Sequence, residues 1–376
     1  MQTTDKIANP YHDGKIFWPY HTQKAMTILR GEVPAPSLIE IDPTDGACNQ
    51  ACIHCCFGSG PHRKMVSVDI ELLLRFVSEA YEHGTYAYEL VGGGEPTNHR
   101  HIDDIISGIV SLAKPDSERP HIGMVTNGVR LERVFAVAQH LDFVRVSLDA
   151  PDTTVYNPLH GISPESNHFS KVITNIKGLI DIVGSKRVRI GYLVVPPHNH
   201  ARNTILATAE LAHSLDAEHV AFRPAFLEYP TSREMWREAA EAIGEAKRKY
   251  QHGFILGGVG GSWEYAVGNR NHPTGVCRTR PLVLVIKADG TIPSCFLYRE
   301  RLAERPAIGH ISQGFRNVWY SEHHRQSIQD VDRIACPEFC KLYRAENALE
   351  QLEMSLSSSG TIPVLRDTEL DNPHFI

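Results

Sequence analysis

Between residues 37 and 225, short apolar runs alternate with longer segments that have the period of amphipathic helices. The short runs are nearly continuous in apolar character, which is typical of strands in a parallel sheet buried on both faces. The first long segment has Ser67 as its predicted N-cap and Gly84 as its stop. The pattern predicts strands over 37–42, 86–93, 121–128, 143–150, 187–196 and 219–224, and helices over 67–84, 101–114, 130–140, 169–184 and 201–215.

These elements make six strand–helix units of an α/β fold. Six units are too few for a complete eight-unit barrel, and they fit either an open doubly wound sheet or a partial barrel. In both architectures ligands bind at the C-terminal ends of the strands. The polar and glycine-rich segments GGGEPT, TNG and SLDA follow the second, third and fourth strands, so the sequence predicts a site at this edge.

The composition argues against several classes of protein. The chain has 376 residues, enough for one large domain or two, and a formal net charge of −6. No run of Lys and Arg indicates a nucleic-acid surface. The N-terminal segment lacks the apolar core of a signal peptide, and no stretch is long enough to span a membrane. We therefore expect a cytoplasmic protein with neither nucleic acid nor membrane as a partner. In that reducing compartment, clustered cysteines bind metals or act in catalysis.

Eight cysteines fall into two groups separated by more than 200 residues. In the first group, Cys48, Cys52 and Cys55 lie on the loop after the first strand, followed by Cys56. Three thiolates on one loop can bind three corners of a cubane cluster and leave its fourth iron open. The same spacing also fits a zinc knuckle, with His54 or Cys56 as the fourth ligand.

The Cys-x-x-x-Cys-x-x-Cys loop after strand one and the Gly-Gly-Glu-Pro motif after strand two resemble the radical S-adenosylmethionine (SAM) superfamily. The resemblance covers residues 37–225 and implies a partial (β/α)6 barrel. One position departs from the family pattern, because the residue before the third cysteine is usually aromatic and here is His54.

The resemblance implies two cofactors, SAM and a [4Fe–4S] cluster held by the three loop cysteines. SAM chelates the open iron, and the reduced cluster cleaves it to a 5′-deoxyadenosyl radical that abstracts a hydrogen atom from the substrate. Glu95 is expected to accept a hydrogen bond from the ammonium group of SAM. Thr126 and Asp149 fit equally well as plain turn or cap residues. The expected SAM-binding residues are Gly93, Gly94, Glu95, Pro96, Thr126, Asn127, Ser147, Asp149 and Asn199.

The second cysteine group consists of Cys277, Cys295, Cys336 and Cys340. Four ligands form a closed set, which suits structural zinc or a fully ligated iron–sulfur cluster. Cys277 and Cys295 flank a predicted hairpin with the turn Asp289-Gly290. This part of the chain resembles the Twitch domain, the shortened form of the SPASM extension of radical SAM enzymes, and the resemblance implies one auxiliary [4Fe–4S] cluster.

The predicted domain order is therefore an N-terminal extension (1–36), the radical SAM partial barrel (37–225), a helical, glycine-rich linker (226–274), a small α+β Twitch domain with a β-hairpin and a C-terminal helix (275–352), and a tail (353–376).

The architecture resembles a radical SAM aminocyclitol dehydrogenase with one Twitch cluster. We therefore expect dehydrogenation of a small-molecule substrate, a sugar or aminocyclitol, with the auxiliary cluster as electron acceptor and flavodoxin or ferredoxin as electron donor. Peptide crosslinking or epimerisation is an alternative, although only about 36 residues precede strand one and a leader-binding module is larger. Redox-neutral sugar epimerisation is another. The C-terminal sequence DTELDNPHFI argues against molybdopterin-precursor cyclases, which end in an arginine-glycine tail.

Three residues are candidates for catalysis. Arg223 ends the sixth strand, where it can also pair with a SAM carboxylate or with Glu228. Tyr192 lies on the fifth strand, and Cys56 is the thiol left over after both clusters. Further candidates for the pocket are His198, Asn199, Tyr156, His160 and the Asn and His residues of the glycine-rich segment 256–275.

Overall fold

The computed structural model describes residues 19–58, 60–225, 232–258, 263, 266–267, 276–300, 302–329, 340 and 342–360. Within these parts the chain forms one large parallel sheet and two small antiparallel pairs. The strands are β1 (Leu38–Ile41), β2 (Thr44–Asp45), β3 (Val66–Ser67), β4 (Ala87–Leu90), β5 (His121–Thr126), β6 (Phe143–Ser147), β7 (Val188–Val194), β8 (Val220–Pro224), β9 (Ile255–Leu256), β10 (Val283–Ile286), β11 (Thr291–Ile292) and β12 (Gly309–His310).

The α-helices of the described residues are α1 (Pro19–Leu29), α2 (Ile70–Glu82), α3 (Ile102–Val110), α4 (Thr153–Leu159), α5 (His168–Val183), α6 (Arg202–Ser214), α7 (Arg233–Lys249), α8 (Phe315–Trp319), α9 (Glu322–Gln329) and α10 (Tyr343–Ser359). The segment Leu131–His140, predicted as a helix, forms a 3₁₀ helix. In the described parts, no helix has both the length and the apolar character that a bilayer crossing requires.

The large sheet has the strand order β10-β1-β4-β5-β6-β7-β8-β9, and every pairing in it is parallel. All six predicted strands are present, which confirms the α/β class and the parallel sheet. Two further strands, β10 and β9, extend the sheet at its two edges. The main core lies between the sheet and the helices, and Ile39, Tyr88 and Ile190 are among its fully buried members.

Two local predictions are wrong. Helix α2 begins after Asp69, whose carboxylate accepts a hydrogen bond from the backbone nitrogen of Leu72 at 2.9 Å, and Ser67 instead pairs with Thr44 in the β2–β3 hairpin. An acidic N-cap at residue 69 satisfies the helix donors that Ser67 was predicted to satisfy.

The second error concerns residues 283–286, which were predicted as the first strand of a hairpin. They form β10 and pair in parallel with β1, while β11 pairs with β12. All four residues of β10 are buried, and Leu284 and Ile286 join the main core. An apolar strand of this kind gains more by completing a buried sheet than by forming an exposed hairpin. The predicted turn is present, since Gly290 donates to the carbonyl of Lys287 at 2.8 Å.

Side chains alternate along the central strands between the helix-covered core and the other face of the sheet, which we call the open face. In β7, for example, Ile190 and Tyr192 belong to the core, whereas Arg189, Gly191 and Leu193 are half-buried on the open face. The half-buried or exposed residues of the open face include Glu89, Val125, Arg145, Ser147, Arg189, Gly191, Leu193 and Arg223. The open face is therefore rich in charge, and the C-terminal strand ends border it.

Helix α1 is attached to the sheet through a buried cation. The Lys24 ammonium donates to the carbonyls of Ala35, Pro36 and Gly84 at 2.8–3.0 Å and lies 4.4 Å from the centroid of the Tyr20 ring. Burial lowers the pKa of Lys24 to about 7. Lys24 therefore donates to three carbonyls at once, of which those of Pro36 and Gly84 also accept from the hydroxyls of Thr85 and Tyr20 at 3.0 and 3.1 Å.

Replacing Lys24 by Met should destabilise the protein, because each of the three carbonyls loses one hydrogen bond. We expect a loss of about 2 kcal/mol in the free energy of unfolding, measured by urea denaturation. Lys177→Met, at an exposed helical position, is the matched control and should change stability by less than about 0.5 kcal/mol. Equal losses in the two variants would contradict this account.

Candidate functional site at the C-terminal edge of the sheet

The loop that follows β1 and β2, residues 46–58, carries the first cysteine group and is called the cysteine loop. Its ends are held together by backbone hydrogen bonds, from Cys48 to the carbonyl of Gly60 at 3.2 Å and from Gly60 to the carbonyl of Gly46 at 3.0 Å. The β2–β3 hairpin closes the base of the loop. The cysteines thus lie at the C-terminal edge of the sheet, on a loop whose ends are fixed by backbone hydrogen bonds.

The glycines after β4 make room for the start of this loop. A Cβ atom at Gly93 would lie 2.3 Å from a carboxylate oxygen of Asp45, and one at Gly94 would lie 2.8 Å from the Thr44 hydroxyl and 2.9 Å from the Ala47 carbonyl. Gly93 and Gly94 were predicted to contact SAM. In the structure, their immediate neighbours are residues of the chain itself, so the glycine run has a packing role here.

The carboxylate of Glu95 connects β4 to the end of β5. Its Oε1 accepts from the backbone nitrogen and hydroxyl of Thr97 at 3.0 and 2.7 Å and from the Thr126 hydroxyl at 2.6 Å, and its Oε2 accepts from the backbone nitrogen of Asn127 at 2.7 Å. Glu95 is 2% exposed, and burial raises the pKa of its carboxyl group. Oε2 receives only one of these bonds and retains room for a second donor.

Asn127 extends this network to the cysteine loop. Its side-chain nitrogen donates to Asn49 Oδ1 at 2.7 Å and lies 3.6 Å from Cys48 Sγ, and its side-chain oxygen accepts from the backbone nitrogen of Val129 at 3.0 Å. Thr126 and Asn127, predicted as SAM contacts, therefore lie in direct contact with Glu95 and the cysteine loop.

The segment after α4 supports the cysteine loop from another side. Ala51 and Ile53 donate backbone hydrogen bonds to the carbonyls of His160 and Leu159, each at 3.0 Å. Gly161 has φ of +60°, and a Cβ atom there would lie 2.2 Å from the Ala51 carbonyl oxygen. Only glycine permits this close backbone approach without displacement.

A buried polar cluster lies where these segments meet. His160 Nδ1 is 3.1 Å from Cys52 Sγ, and His160 Nε2 is 3.7 Å from Asp149 Oδ2. His54 Nε2 is 3.8 Å from the same carboxylate oxygen. Burial lowers the pKa of His54 to about 4 and that of His160 to about 3, so both imidazoles are neutral at pH 7. His54, the residue before the third cysteine of the loop, thus belongs to a buried polar cluster.

Asp149 is held in a left-handed backbone conformation, with φ of +58°. Its Oδ1 accepts from the backbone nitrogen of Leu193 at 2.6 Å, and its carbonyl accepts from the side chain of Asn199 at 2.9 Å. Tyr192 in turn donates its hydroxyl to the Asn199 carbonyl at 2.6 Å. Tyr192 and Asn199 are buried, and in the structure both stabilise the loop after β7.

The remaining predicted residues lie at separate points of the same edge. Pro96 is buried in the 3₁₀ helix that Glu95 caps, and Ser147 ends β6 on the open face. Arg223 is exposed near the end of β8, and Cys56 is exposed on the cysteine loop. Tyr156 is fully buried and accepts a hydrogen bond from Gln50 at 2.7 Å. His198 is exposed. Glu228 and much of the segment 256–275 lie outside the described residues.

The second cysteine group is described in part. Cys277, Cys295 and Cys340 are half-buried, and Cys340 packs beside a small core that includes Leu38 and Ala87. Cys336 lies outside the described residues. The structure therefore describes three of the four predicted ligands, and the auxiliary cluster stays a prediction.

Sequence reasoning missed an ion-pair network that joins the second cysteine segment to β1. Arg299 is paired with Asp42 and lies 3.4 Å from Glu40, and its guanidinium carbon is 5.0 Å from the centroid of the Phe57 ring on the cysteine loop. Burial raises the pKa of Asp42 to about 6, and Arg299 opposes this shift. The acidic residues Glu40 and Asp42 at the end of β1 could have indicated a buried ion pair. Their partner Arg299 could not be identified from the sequence, because it lies more than 250 residues away.

The side chains around the cysteine loop bear on whether it could hold a cluster bound by thiolates. Across the ranges that the structure describes, no three His, Cys, Asp or Glu side chains are arranged to hold a metal ion. Cys48 Sγ nevertheless lies 3.6 Å from the side-chain nitrogen of Asn127, and Cys52 Sγ lies 3.1 Å from His160 Nδ1. Burial raises the pKa of Cys48 to about 11. Three buried polar atoms around the loop have no hydrogen-bond partner: Asn49 Nδ2, His54 Nδ1 and Asp149 Oδ2. Orphaned polar atoms of this kind indicate a missing ligand, so the residues present fit a bound cofactor.

Gly161→Ala should destabilise the protein more than Gly184→Ala does. Both positions have positive φ, but a Cβ atom at Gly184 has no neighbour within 4 Å, whereas one at Gly161 collides with Ala51. We expect an additional loss of about 2 kcal/mol in urea denaturation and faster maleimide labelling of the loop thiols. Equal losses and equal labelling rates would show that the cysteine loop does not depend on this contact.

Asp149→Asn should change how stability depends on pH. Burial raises the pKa of Asp149 to about 7, so between about pH 4 and pH 7 the folded protein retains a proton that the unfolded chain releases. The stability contributed by this group is therefore present at low pH and lost as pH rises through that window. Asn keeps the acceptor for Leu193 without the charge. We expect the variant to match the unaltered protein at pH 4 and to exceed its unfolding free energy by roughly 2 kcal/mol at pH 8, measured by urea denaturation. Parallel pH profiles would contradict this assignment.

Part of the chain, including this edge of the sheet, is similar to a known protein family. Residues 44–212 match the family model of the Radical SAM superfamily. A GTP 3′,8-cyclase of Corynebacterium glutamicum (strain R) is 28% identical over 177 residues, which make up 46% of this chain and 45% of that protein. The chain thus spans about half the length of the curated relatives it matches.

Two solved structures have a similar fold. Streptococcus suis SuiB bound to S-adenosylmethionine has a TM-score of 0.60 at 15% identity, covering 89% of this chain and 77% of that chain. Native anSMEcpe with bound AdoMet has a TM-score of 0.58 at 14% identity, covering 82% of this chain and 87% of that chain. Identities this low show the shared fold alone. The part of the chain that matches the Radical SAM superfamily model includes the cysteine loop, the Glu95 network and the strands that carry them.

Proposed function

We propose that the protein is a radical SAM enzyme that cleaves S-adenosylmethionine reductively and removes a hydrogen atom from a small polar substrate. The observation that carries the proposal is the group of orphaned buried atoms Asn49 Nδ2, His54 Nδ1 and Asp149 Oδ2 around the cysteine loop. Both similar structures contain bound SAM, which supports the same choice of cofactor. A [4Fe–4S] cluster on the loop supplies the electron that cleaves the sulfonium of SAM.

Each residue has a specific task in this proposal. Cys48, Cys52 and Cys55 would be the cluster ligands, and His160, whose Nδ1 lies 3.1 Å from Cys52 Sγ, would orient that ligand. Glu95 has an acceptor position left at Oε2 for the ammonium group of SAM. Because its carboxylate is already held by four other hydrogen bonds, it is oriented before the cofactor arrives.

For the overall reaction we propose dehydrogenation of a sugar or aminocyclitol. Cys277, Cys295, Cys336 and Cys340 would hold an auxiliary [4Fe–4S] cluster in a Twitch domain. When bound, this group would supply the acceptor for one substrate electron, and the substrate would also lose a proton. With the hydrogen atom already removed, the substrate undergoes a two-electron oxidation. The contact between Arg299 and Phe57 supports this arrangement, because it brings the segment after Cys295 against the cysteine loop. A flavodoxin or ferredoxin would reduce the SAM-binding cluster.

Peptide modification is a second candidate. Native anSMEcpe with bound AdoMet and Cp18Cys peptide matches 82% of this chain with a TM-score of 0.55, and that structure contains a bound peptide. The similarity to GTP 3′,8-cyclases spans 46% of this chain, so it supports the radical SAM chemistry more than any particular substrate.

The proposal is tested by replacing Cys48, Cys52 and Cys55 together by Ala and reconstituting the protein anaerobically. We expect about eight irons per unaltered chain and about four in the variant, since each cubane holds four. Reductive cleavage of SAM should be lost with the first cluster. Cys56→Ala, a change on the same loop outside the motif, is the matched control for iron content and should retain all of it.

Two results would decide against parts of this proposal. If the triple variant keeps all its iron, or the unaltered chain releases no 5′-deoxyadenosine from SAM under reducing conditions, the radical SAM assignment fails. If the unaltered chain holds about four irons and the variant none, the second cysteine group binds zinc or no metal. Dehydrogenation then lacks its electron acceptor, and redox-neutral epimerisation becomes the better candidate.

A further inference from the structure

Arg145 extends from β6 across the open face. Its neighbours Val144 and Val146 belong to the core on the helix side, whereas Arg145 is half-buried on the opposite side of the strand. A Cβ atom at Gly191, on the adjacent strand, would lie 3.4 Å from Arg145 Cγ and 3.5 Å from its Cδ. The stem of the arginine therefore crosses β7 at a position where the absence of a side chain leaves room for it.

Arg145 forms no hydrogen bond or ion pair within the described residues, unlike other cations around the open face. Arg189, its register partner on β7, donates to Glu218 at 2.7 Å and stacks on the Phe143 ring at 4.3 Å. Arg299 is paired with acidic residues of β1 and the segment after it. A half-buried guanidinium loses contacts with water, and here no acceptor among the described residues replaces them. An anionic ligand that supplied this acceptor would therefore bind favourably.

The electrostatic effect of Arg145 reaches two buried groups. Burial raises the pKa of Asp149, and Arg145 acts against that shift. Burial also lowers the pKa of His219, and the charges of Arg189, Arg223 and Arg145 lower it further. The β6–β8 side of the open face is thus positive, although the chain as a whole carries a net charge of −6.

The opposite side of the open face has one unpaired acid. Glu89 on β4 is half-buried and has no hydrogen bond or ion pair among the described residues. Strand β5 lies between Glu89 and Arg145, where its open-face residues are Gly123 and Val125. The two unpaired charges therefore flank a small uncharged strip.

We propose that the open face binds a substrate with an anionic group, a carboxylate or a phosphate, and that Arg145 holds that group. Arg145 lies two residues before Ser147, about 7 Å along the strand from the C-terminal edge. This places the substrate anion below the cysteine loop, with the rest of the substrate facing the loop and any hydroxyl or ammonium donors facing Glu89. That the bound anion belongs to a substrate rests on the proposed function, whereas the anion site itself does not.

The test uses the full-length chain, reconstituted anaerobically, and isothermal titration with three probes: inorganic pyrophosphate, succinate and uncharged glucose. Arg145→Gln should weaken binding of the preferred anion at least tenfold, and Arg145→Lys should weaken it less because the charge remains. Arg75→Gln removes the same charge from an exposed position of α2 and should leave anion affinity unchanged. Preference for pyrophosphate or succinate identifies the anion as phosphate or carboxylate.

Several outcomes overturn the inference. They are binding of neither anion to the unaltered chain, equal affinity in the Gln variant, and equal weakening in Arg75→Gln. A larger loss of SAM affinity than of anion affinity in Arg145→Gln also overturns it, because Arg145 then holds the carboxylate of the cofactor. Thermal midpoints of both Arg145 variants exclude loss of folding. SAM cleavage by the unaltered chain is measured separately, so failure of this inference and failure of the proposed function are distinguishable.

Discussion

The buried carboxylate of Glu95 is the interaction on which the candidate site depends. It accepts hydrogen bonds from Thr97 in its own turn and from Thr126 and Asn127 at the end of β5. The side chain of Asn127 in turn donates a hydrogen bond to Asn49, the residue after Cys48. A buried acid with one partner removed is costly, so each donor is under strong constraint. Two strand ends and one loop are thereby fixed relative to one another before any cofactor binds.

The cysteine loop is also held from two further directions. Gly161 allows the segment after α4 to lie against its backbone, and Arg299 packs on Phe57 from the C-terminal part of the chain. The loop has little secondary structure of its own, so its geometry comes from these neighbours. Distant parts of the chain therefore shape the presentation of Cys48, Cys52 and Cys55.

The six central strands and most helices could be predicted because apolar runs and helical periodicity are local properties. The cysteine loop and Glu95 could be predicted from short motifs. The contacts of His160 with Cys52 and of Arg299 with Asp42 could not, because each joins residues far apart in the sequence. Tyr192 illustrates the same limit: its position on β7 was correct, but no local pattern reveals that its hydroxyl is bonded to Asn199.

The position of β10 has a consequence for how the protein is made. This strand borders β1 in the finished sheet but leaves the ribosome after all the central strands. Until then the edge of β1 exposes unpaired backbone groups, a surface that favours aggregation. A fragment cut at residue 225 would carry that edge permanently. The sheet therefore reaches its full width beside β1 only when residues 283–286 have been synthesised, and shorter expression fragments are expected to be poorly soluble.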